Sequence, residues 1–267
     1  MSKTLIFSGL GLNCERETAY ACEISGAEQV DIVHLLDFLK GDTKLSDYDL
    51  VIFIGGFLDG DYLGSARVGV NRFKYAAEFD LKAELEAYVA SGKLILGICN
   101  GFQFLVKLGL LPFDEDCMVS QSASLTQNSN GLFEDRWVNL VINSKNPSPF
   151  LKGIDSLYLP IRHGEGKIVV KDQKSQDLIH EQNLGALYYA DKEGNSTAEY
   201  PANPNGSWEN VAGLSNVAGN VFGLMPHPEA YNHVTNHPHW SRNPEENSEP
   251  LGLKIFKNAY QYLSQKA

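Results

Sequence analysis

Short apolar runs set off by mixed polar stretches give the first hundred residues their rhythm. Residues 4–8, 30–35 and 49–54 are runs of strand length rich in Val, Ile, Leu and Phe, and 93–98 is a fourth. Between them, 13–25 and 79–90 mix polar and apolar positions as helices do, with Gly26 and Gly92 near their ends as stop signals. Strand and helix in alternation predict a parallel sheet covered on both faces. Sites in such sheets lie beyond the carboxyl ends of the strands.

From Cys117 onward the pattern shifts toward strands, at 137–142, 156–161, 167–170 and 184–190. Residues 211–215 and 220–225 read as a hairpin across a turn containing Gly219. That run ends in Pro226-His227-Pro228-Glu229, a loop rich in Asn, His, Pro and Glu covers 230–250, and a helix is expected at 251–264. Residues 201–210 read as a surface loop. With no repeat and no linker, one α/β domain over 1–267 is expected: a mostly parallel sheet with helices on both faces and an added antiparallel strand region.

Composition narrows the function classes. Hydrophobic residues at 43% suit a globular chain, and a net charge of −11 gives no electrostatic footprint for nucleic acid or an anionic membrane. No apolar run approaches membrane-spanning length. The four cysteines, at 14, 22, 99 and 117, contain no C-x-x-C pair, so free thiols and a cytoplasmic setting are expected.

The stretch Gly97-Ile98-Cys99-Asn100-Gly101 stands where the fourth strand gives way to an amphipathic helix carrying Phe102, Leu105 and Leu108. A reactive side chain with glycine two residues to either side is the layout of a nucleophile elbow. The helix that follows aims its N-terminus at the sulfur and favours the thiolate. A nucleophilic cysteine needs a base. His227 follows a strongly apolar strand, proline on each side restrains it, and Glu229 stands two residues on, within reach of its far ring nitrogen in extended chain. Oxyanion donors are expected from the N–H of Asn100 and from the Gly55-Gly56-Phe57 turn. The turn Gly9-Leu10-Gly11 lacks the third glycine of a dinucleotide fingerprint, Cys14 standing in its place. A competing reading takes His227, Glu229, His233, His237 and His239 as a zinc-binding cluster; the irregular, proline-rich loop between them argues against it, and no metal site is expected.

Gly-Ile-Cys-Asn-Gly-Phe-Gln with Met-Pro-His-Pro-Glu resembles the class I (triad) glutamine amidotransferases, whose fold is flavodoxin-like. Asn13-Cys14-Glu15-Arg16, Gly55-Gly56-Phe57 with Gly60-Asp61-Tyr62-Leu63, Arg136-Trp137-Val138-Asn139-Leu140 and His163-Gly164-Glu165-Gly166 narrow the resemblance to the glutaminase subunits that serve purine biosynthesis. The resemblance implies that Cys99 attacks the side-chain amide of glutamine, that His227 acts as base and acid, and that Glu229 orients it. It implies backbone oxyanion donors at Gly56 and Asn100, and a glutamine pocket lined by Gln103. It implies ammonia passed to a synthetase subunit that uses ATP and Mg, with a small third subunit often bridging the two, and no cofactor in this chain. Other amidotransferases, such as those serving guanylate or anthranilate synthesis, are the nearest competing readings. Leu58-Asp59 and Phe102 depart from the family pattern.

Overall fold

The computed structural model describes residues 2–113, 117–242 and 249–266. The first half forms β1 (Lys3–Ser8), α1 (Glu15–Ser25), β2 (Gln29–His34), the short α2 (Leu35–Phe38), β3 (Leu50–Phe53), α3 (Arg67–Tyr75), α4 (Leu81–Ala90), β4 (Leu94–Ile98) and α5 (Asn100–Leu108). The second half forms β5 (Ala123–Thr126), β6 (Glu134–Ile142), β7 (Ser156–His163), β8 (Lys167–Val170), α6 (Gln173–Glu181), β9 (Gly185–Ala190), β10 (Val211–Ser215), β11 (Val221–Leu224) and α7 (Leu253–Lys266).

One nine-stranded sheet runs in the order β2-β1-β3-β4-β11-β10-β9-β6-β7. Its first five strands are parallel and the remaining pairings are antiparallel. The parallel half has the doubly wound order of flavodoxin-like folds, with the strand-rich stretch inserted between β4 and β11. The expected α/β class, the mostly parallel sheet and the antiparallel addition are all present. Every residue of β3, β4, β10 and β11 is buried, as covered strands require.

Four expectations need correction. The first helix begins at Glu15, not at residue 13, because Leu10 and Cys14 take left-handed φ values of 57° and 72° in a tight loop ahead of it. The helix after Cys99 is amphipathic in sequence but has no solvent face: all nine residues of α5 are buried, Lys107 included, since β5 of the separate β5–β8 pair covers the side turned from the main sheet. The helices α3 and α6 were not anticipated. Val70 and Phe73 of α3 are buried, and the Phe73 ring packs against Phe7, Phe38, Phe53 and Phe104 in an aromatic cluster at the heart of the parallel half. Finally, the stretch 201–210 is more than a surface loop. Asn203, Asn205 and Ser207 are buried, and Asn205 Nδ2 donates to Gly166 O and to the Tyr189 hydroxyl, both at 2.9 Å.

Candidate active site

Cys99 sits between β4 and α5 at φ 51°, ψ −106°, a left-handed value that a side chain adopts only under strain. The two glycines make the turn possible. A Cβ on Gly101 would strike the Phe53 carbonyl, and one on Gly97 would press on the Gly101 backbone. The Cys99 N–H donates to Leu224 O at 2.9 Å, which ties the end of β4 to the end of β11. The chain leaving β11 therefore delivers His227 beside Cys99: a Cβ placed on Gly55 would meet His227 Cε1 at 2.8 Å and Cys99 Cβ at 3.6 Å. The sulfur is not held out in the open as the elbow pattern suggests. Cys99 is 5% exposed, and Sγ lies 3.6 Å from Arg162 O on β7.

His227 keeps an extended backbone, φ −105° and ψ 90°, and the chain then enters a 3-10 turn over Pro228–Ala230. Glu229 is thus reached through a turn rather than along straight extended chain, and the pairing still forms: His227 Nδ1 and Glu229 Oε1 are 2.6 Å apart, with both residues buried. Nε2 of His227 and Oε2 of Glu229 are buried and make no hydrogen bond. Burial disfavours the imidazolium, but the Glu229 carboxylate, then Cys99 and Cys14, outweigh it, and the His227 pKa stands well above its ordinary value.

Gly56 is pressed against the N-terminal loop. It pairs with Leu12 in an isolated bridge at φ 138°, and a side chain there would run into Gly11 O and Leu12 Cα at 2.7 Å. Asn13 N–H donates to Gly55 O at 3.0 Å, and Phe57 N–H to Gly11 O at 2.9 Å. The Gly9–Gly11 turn, which shows nothing of a nucleotide fingerprint, braces the turn beside Cys99. Asn100 opens α5, so its N–H has no acceptor within the helix. Its side chain accepts from Leu58 N–H at 3.1 Å and donates to Asp61 Oδ1 at 3.0 Å and Gln103 Oε1 at 2.9 Å. Gln103 Nε2 donates in turn to Glu165 O at 2.7 Å. All three expected site residues beyond the Cys–His–Glu set therefore lie around it.

Ser65, Lys107 and Asn128 escaped the sequence reading, and they gather around the His163–Gly166 motif that it picks out. Glu165 accepts from Ser65 Oγ at 2.8 Å, Lys107 Nζ donates to the same hydroxyl at 2.9 Å and to the Ser65 carbonyl, and burial pulls the Lys107 pKa down to about 8. His163 is buried, with Nδ1 3.1 Å from Asn128 Oδ1. The Asn128 amide nitrogen donates to two carbonyls, Leu132 O and His163 O, which makes Oδ1 the acceptor and Nδ1 the protonated nitrogen of His163. Burial first, and the charge of His227 second, push the His163 pKa down to about 3. Cys14 is the remaining surprise: one donor atom each from Cys14, His227 and Glu229 lie within 4.8 Å of one another. The five-residue cluster of the competing zinc reading does not assemble. Among the described residues His233, His237 and His239 do not join His227 and Glu229; His237 packs instead among Trp137, Tyr158 and Tyr231.

Residues 1–263 match the family described as CobB/CobQ-like glutamine amidotransferase domain, and the chain belongs to that family. The phosphoribosylformylglycinamidine synthase subunit PurQ of Dehalococcoides mccartyi is 41% identical, over 98% of each chain. The protein of that name from Methanococcus maripaludis strain S2 is 39% identical over 98% of this chain and 97% of its own. Among solved structures, a chain of PurLQS from Thermotoga maritima superposes with a TM-score of 0.69 at 31% identity, covering 98% of this chain and 99% of that one. A further glutamine amidotransferase from Thermotoga maritima, 18% identical with a TM-score of 0.52, shares the fold.

Proposed function

We propose that this chain is the glutaminase subunit of phosphoribosylformylglycinamidine synthase, hydrolysing glutamine to glutamate and ammonia for de novo purine biosynthesis. Near-full-length identity to PurQ proteins supports the subunit reading. The observation that carries the chemistry is the His227–Glu229 pair at 2.6 Å, buried against a cysteine held in a strained elbow.

The site supplies each step. Cys99 gives its proton to His227 Nε2, which is buried without another partner, and the thiolate beside the imidazolium attacks the amide carbon of glutamine. The charge on the amide oxygen falls to the backbone N–H groups of Gly56 and Asn100. The C–N bond breaks as His227 returns the proton to nitrogen, and ammonia leaves behind a γ-glutamyl thioester. Water, deprotonated by His227, then cleaves the C–S bond and glutamate departs. Glu229 fixes the ring orientation and stabilises the imidazolium throughout. Gln103 and the His163–Gly166 turn to which it is bonded form the wall of the glutamine pocket.

The ammonia goes to a separate synthetase subunit that uses ATP and Mg to turn formylglycinamide ribonucleotide into the amidine, with a small third subunit bridging the two. The likeness to a chain of PurLQS supports these partners. The chain has no G-x-x-x-x-G-K-[ST] loop, and the amidotransferase family matches residues 1–263. No helix of the described residues is long and apolar enough to cross a membrane, and its four cysteines are free, in keeping with the cytoplasm. The test is an assay of glutaminase with and without the synthetase subunit, and of that subunit with ammonium salt. Glutamine should be hydrolysed faster in the complex, and ammonium should replace glutamine and this chain together. An isolated chain as fast as the complex, or one that makes the amidine by itself, overturns the reading.

A further inference from the structure

The glutaminase step uses Cys99, His227 and Glu229, yet a second thiol stands against the same pair. Cys14 is placed there by its left-handed backbone at the head of α1 and by the loop that Leu12 and Asn13 fasten to Gly55 and Gly56. Its sulfur contacts Asn13 Oδ1 at 3.1 Å, and unlike His227 and Glu229 it is only partly buried. One donor atom from each of the three residues falls within 4.8 Å of the others. A tetrahedral zinc ion with thiolate, imidazole and carboxylate ligands requires donor separations of about 3.3–3.6 Å. The set must therefore contract by about 1.5 Å at most, within reach of side-chain rotation. A second observation points the same way: Glu229 Oε2 is a buried polar atom without a hydrogen bond, which is costly unless something else engages it.

The geometry points to a binding site for a thiophilic divalent cation, zinc foremost, formed by Cys14, His227 and Glu229, that switches the glutaminase off by occupying its base. Sulfur and nitrogen donors select zinc over magnesium and calcium, which prefer all-oxygen shells. The partly exposed Cys14 sulfur is the donor that meets the ion first. On binding, the Cys14 thiol and the Nδ1–H of His227 give their protons to solvent, a metal–sulfur bond forms, and the ion takes the place of the proton between His227 Nδ1 and Glu229. Water completes the coordination. With its base engaged, the site has no acceptor for the Cys99 proton. Cys99 itself is not required as a ligand, which separates this site from chelation by the nucleophile and its base.

The experiment uses the full chain and two metals. Zinc should bind at one ion per chain in competition with a chromogenic chelator, unaffected by excess magnesium. Cobalt in its place should show a thiolate-to-metal charge-transfer absorption. Both should vanish in Cys14→Ser and persist in Cys99→Ser and Cys22→Ser. In the unaltered chain, zinc should protect Cys14 from alkylation, read by peptide mapping, a measurement that stands even if Cys14→Ser folds poorly. Loss of the cobalt band in Cys99→Ser but not in Cys14→Ser, an unprotected Cys14, or no stoichiometric binding overturns the site. The inhibitory arm rests on the glutaminase reading: zinc should inhibit the enzyme complex reversibly by EDTA, and Cys14→Ser should need about tenfold more zinc or beyond. Zinc bound at Cys14 without inhibition would uphold the site and count against His227 as the base, so the two readings fail separately.

Discussion

The backbone N–H of His227 donates to the carbonyl of Pro160 at 2.8 Å. Pro160 belongs to β7, the last strand of the sheet, whereas His227 follows β11, four strand steps away. Four steps across a flat sheet span about 19 Å. The bond exists because the antiparallel half curls back until its edge strand roofs the carboxyl ends of the parallel strands. The same strand sets Arg162 O against Cys99 Sγ and carries His163 to the edge of the site. The inserted strands are therefore the lid of the site, and the burial of Cys99, His227 and Glu229 follows from that curl.

Cys99→Ala should abolish glutamine hydrolysis, a loss of about 10⁴-fold or more, while the melting temperature changes little, because the alanine relieves none of the backbone contacts that hold the elbow. A glutamine-analogue electrophile should label Cys99 and spare Cys14, Cys22 and Cys117, checked by peptide mapping. Labelling elsewhere, or surviving glutaminase activity, would remove Cys99 as nucleophile.

His227→Ala should be nearly as damaging, and Glu229→Gln milder. The nucleophile and the base act as one unit, so Cys99→Ala/His227→Ala should be no slower than Cys99→Ala alone. Glu229→Gln keeps a ring contact but loses the charge that lifts the His227 pKa. Its pH–rate profile should show the imidazolium form failing at lower pH than in the parent enzyme. An unchanged profile would assign the charge to another group.

These residues were the legible part of the chain, and the reason is local. An elbow, and a histidine two residues from its carboxylate, are written in five or fewer consecutive positions, so spacing alone finds them. The strands of the parallel half were equally readable, since buried runs such as Leu94–Ile98 are apolar throughout. What the sequence hid depends on distant contacts. The helix Arg67–Tyr75 has a mean polarity that masks Val70 and Phe73, and its place is fixed by ring packing with Phe7 and Phe104. Lys107 reads as a solvated charge until Ser65 and Glu165 are seen beside it. Asn205 reads as loop until Gly166 and Tyr189 claim its amide. Cys14 reaches His227 across more than two hundred residues of chain, which no spacing encodes.

Gly56→Ala should cost both fold and activity. Its Cβ would sit 2.7 Å from Gly11 O and Leu12 Cα at a φ that alanine resists. We expect destabilisation of about 1–3 kcal/mol and a fall in kcat exceeding that in KM, since the displaced group is a transition-state donor. Urea unfolding and steady-state glutaminase kinetics read the two effects. A variant with wild-type kcat would take the oxyanion donor away from Gly56.

Stability should also fall in acid for a reason that lies in one residue. His163 has its pKa pushed down to about 3 by burial, so the folded protein keeps it neutral where the unfolded chain protonates it. The unfolded state binds the extra proton below about pH 6.5, the ordinary histidine value. Stability is thus whole above that pH and declines steadily toward about pH 3, below which the folded state binds the proton as well. His227 works in the opposite sense. Its raised pKa contributes stability that is full below about pH 6.5 and lost as pH climbs through the folded value. The two together predict a dome, with the acid limb belonging to His163. Urea midpoints measured from pH 3 to 8 should show that limb, and His163→Gln, which keeps a polar group toward Asn128 but cannot titrate, should flatten it while lowering stability at neutral pH. An acid limb equally steep in His163→Gln would assign the loss to carboxylates instead.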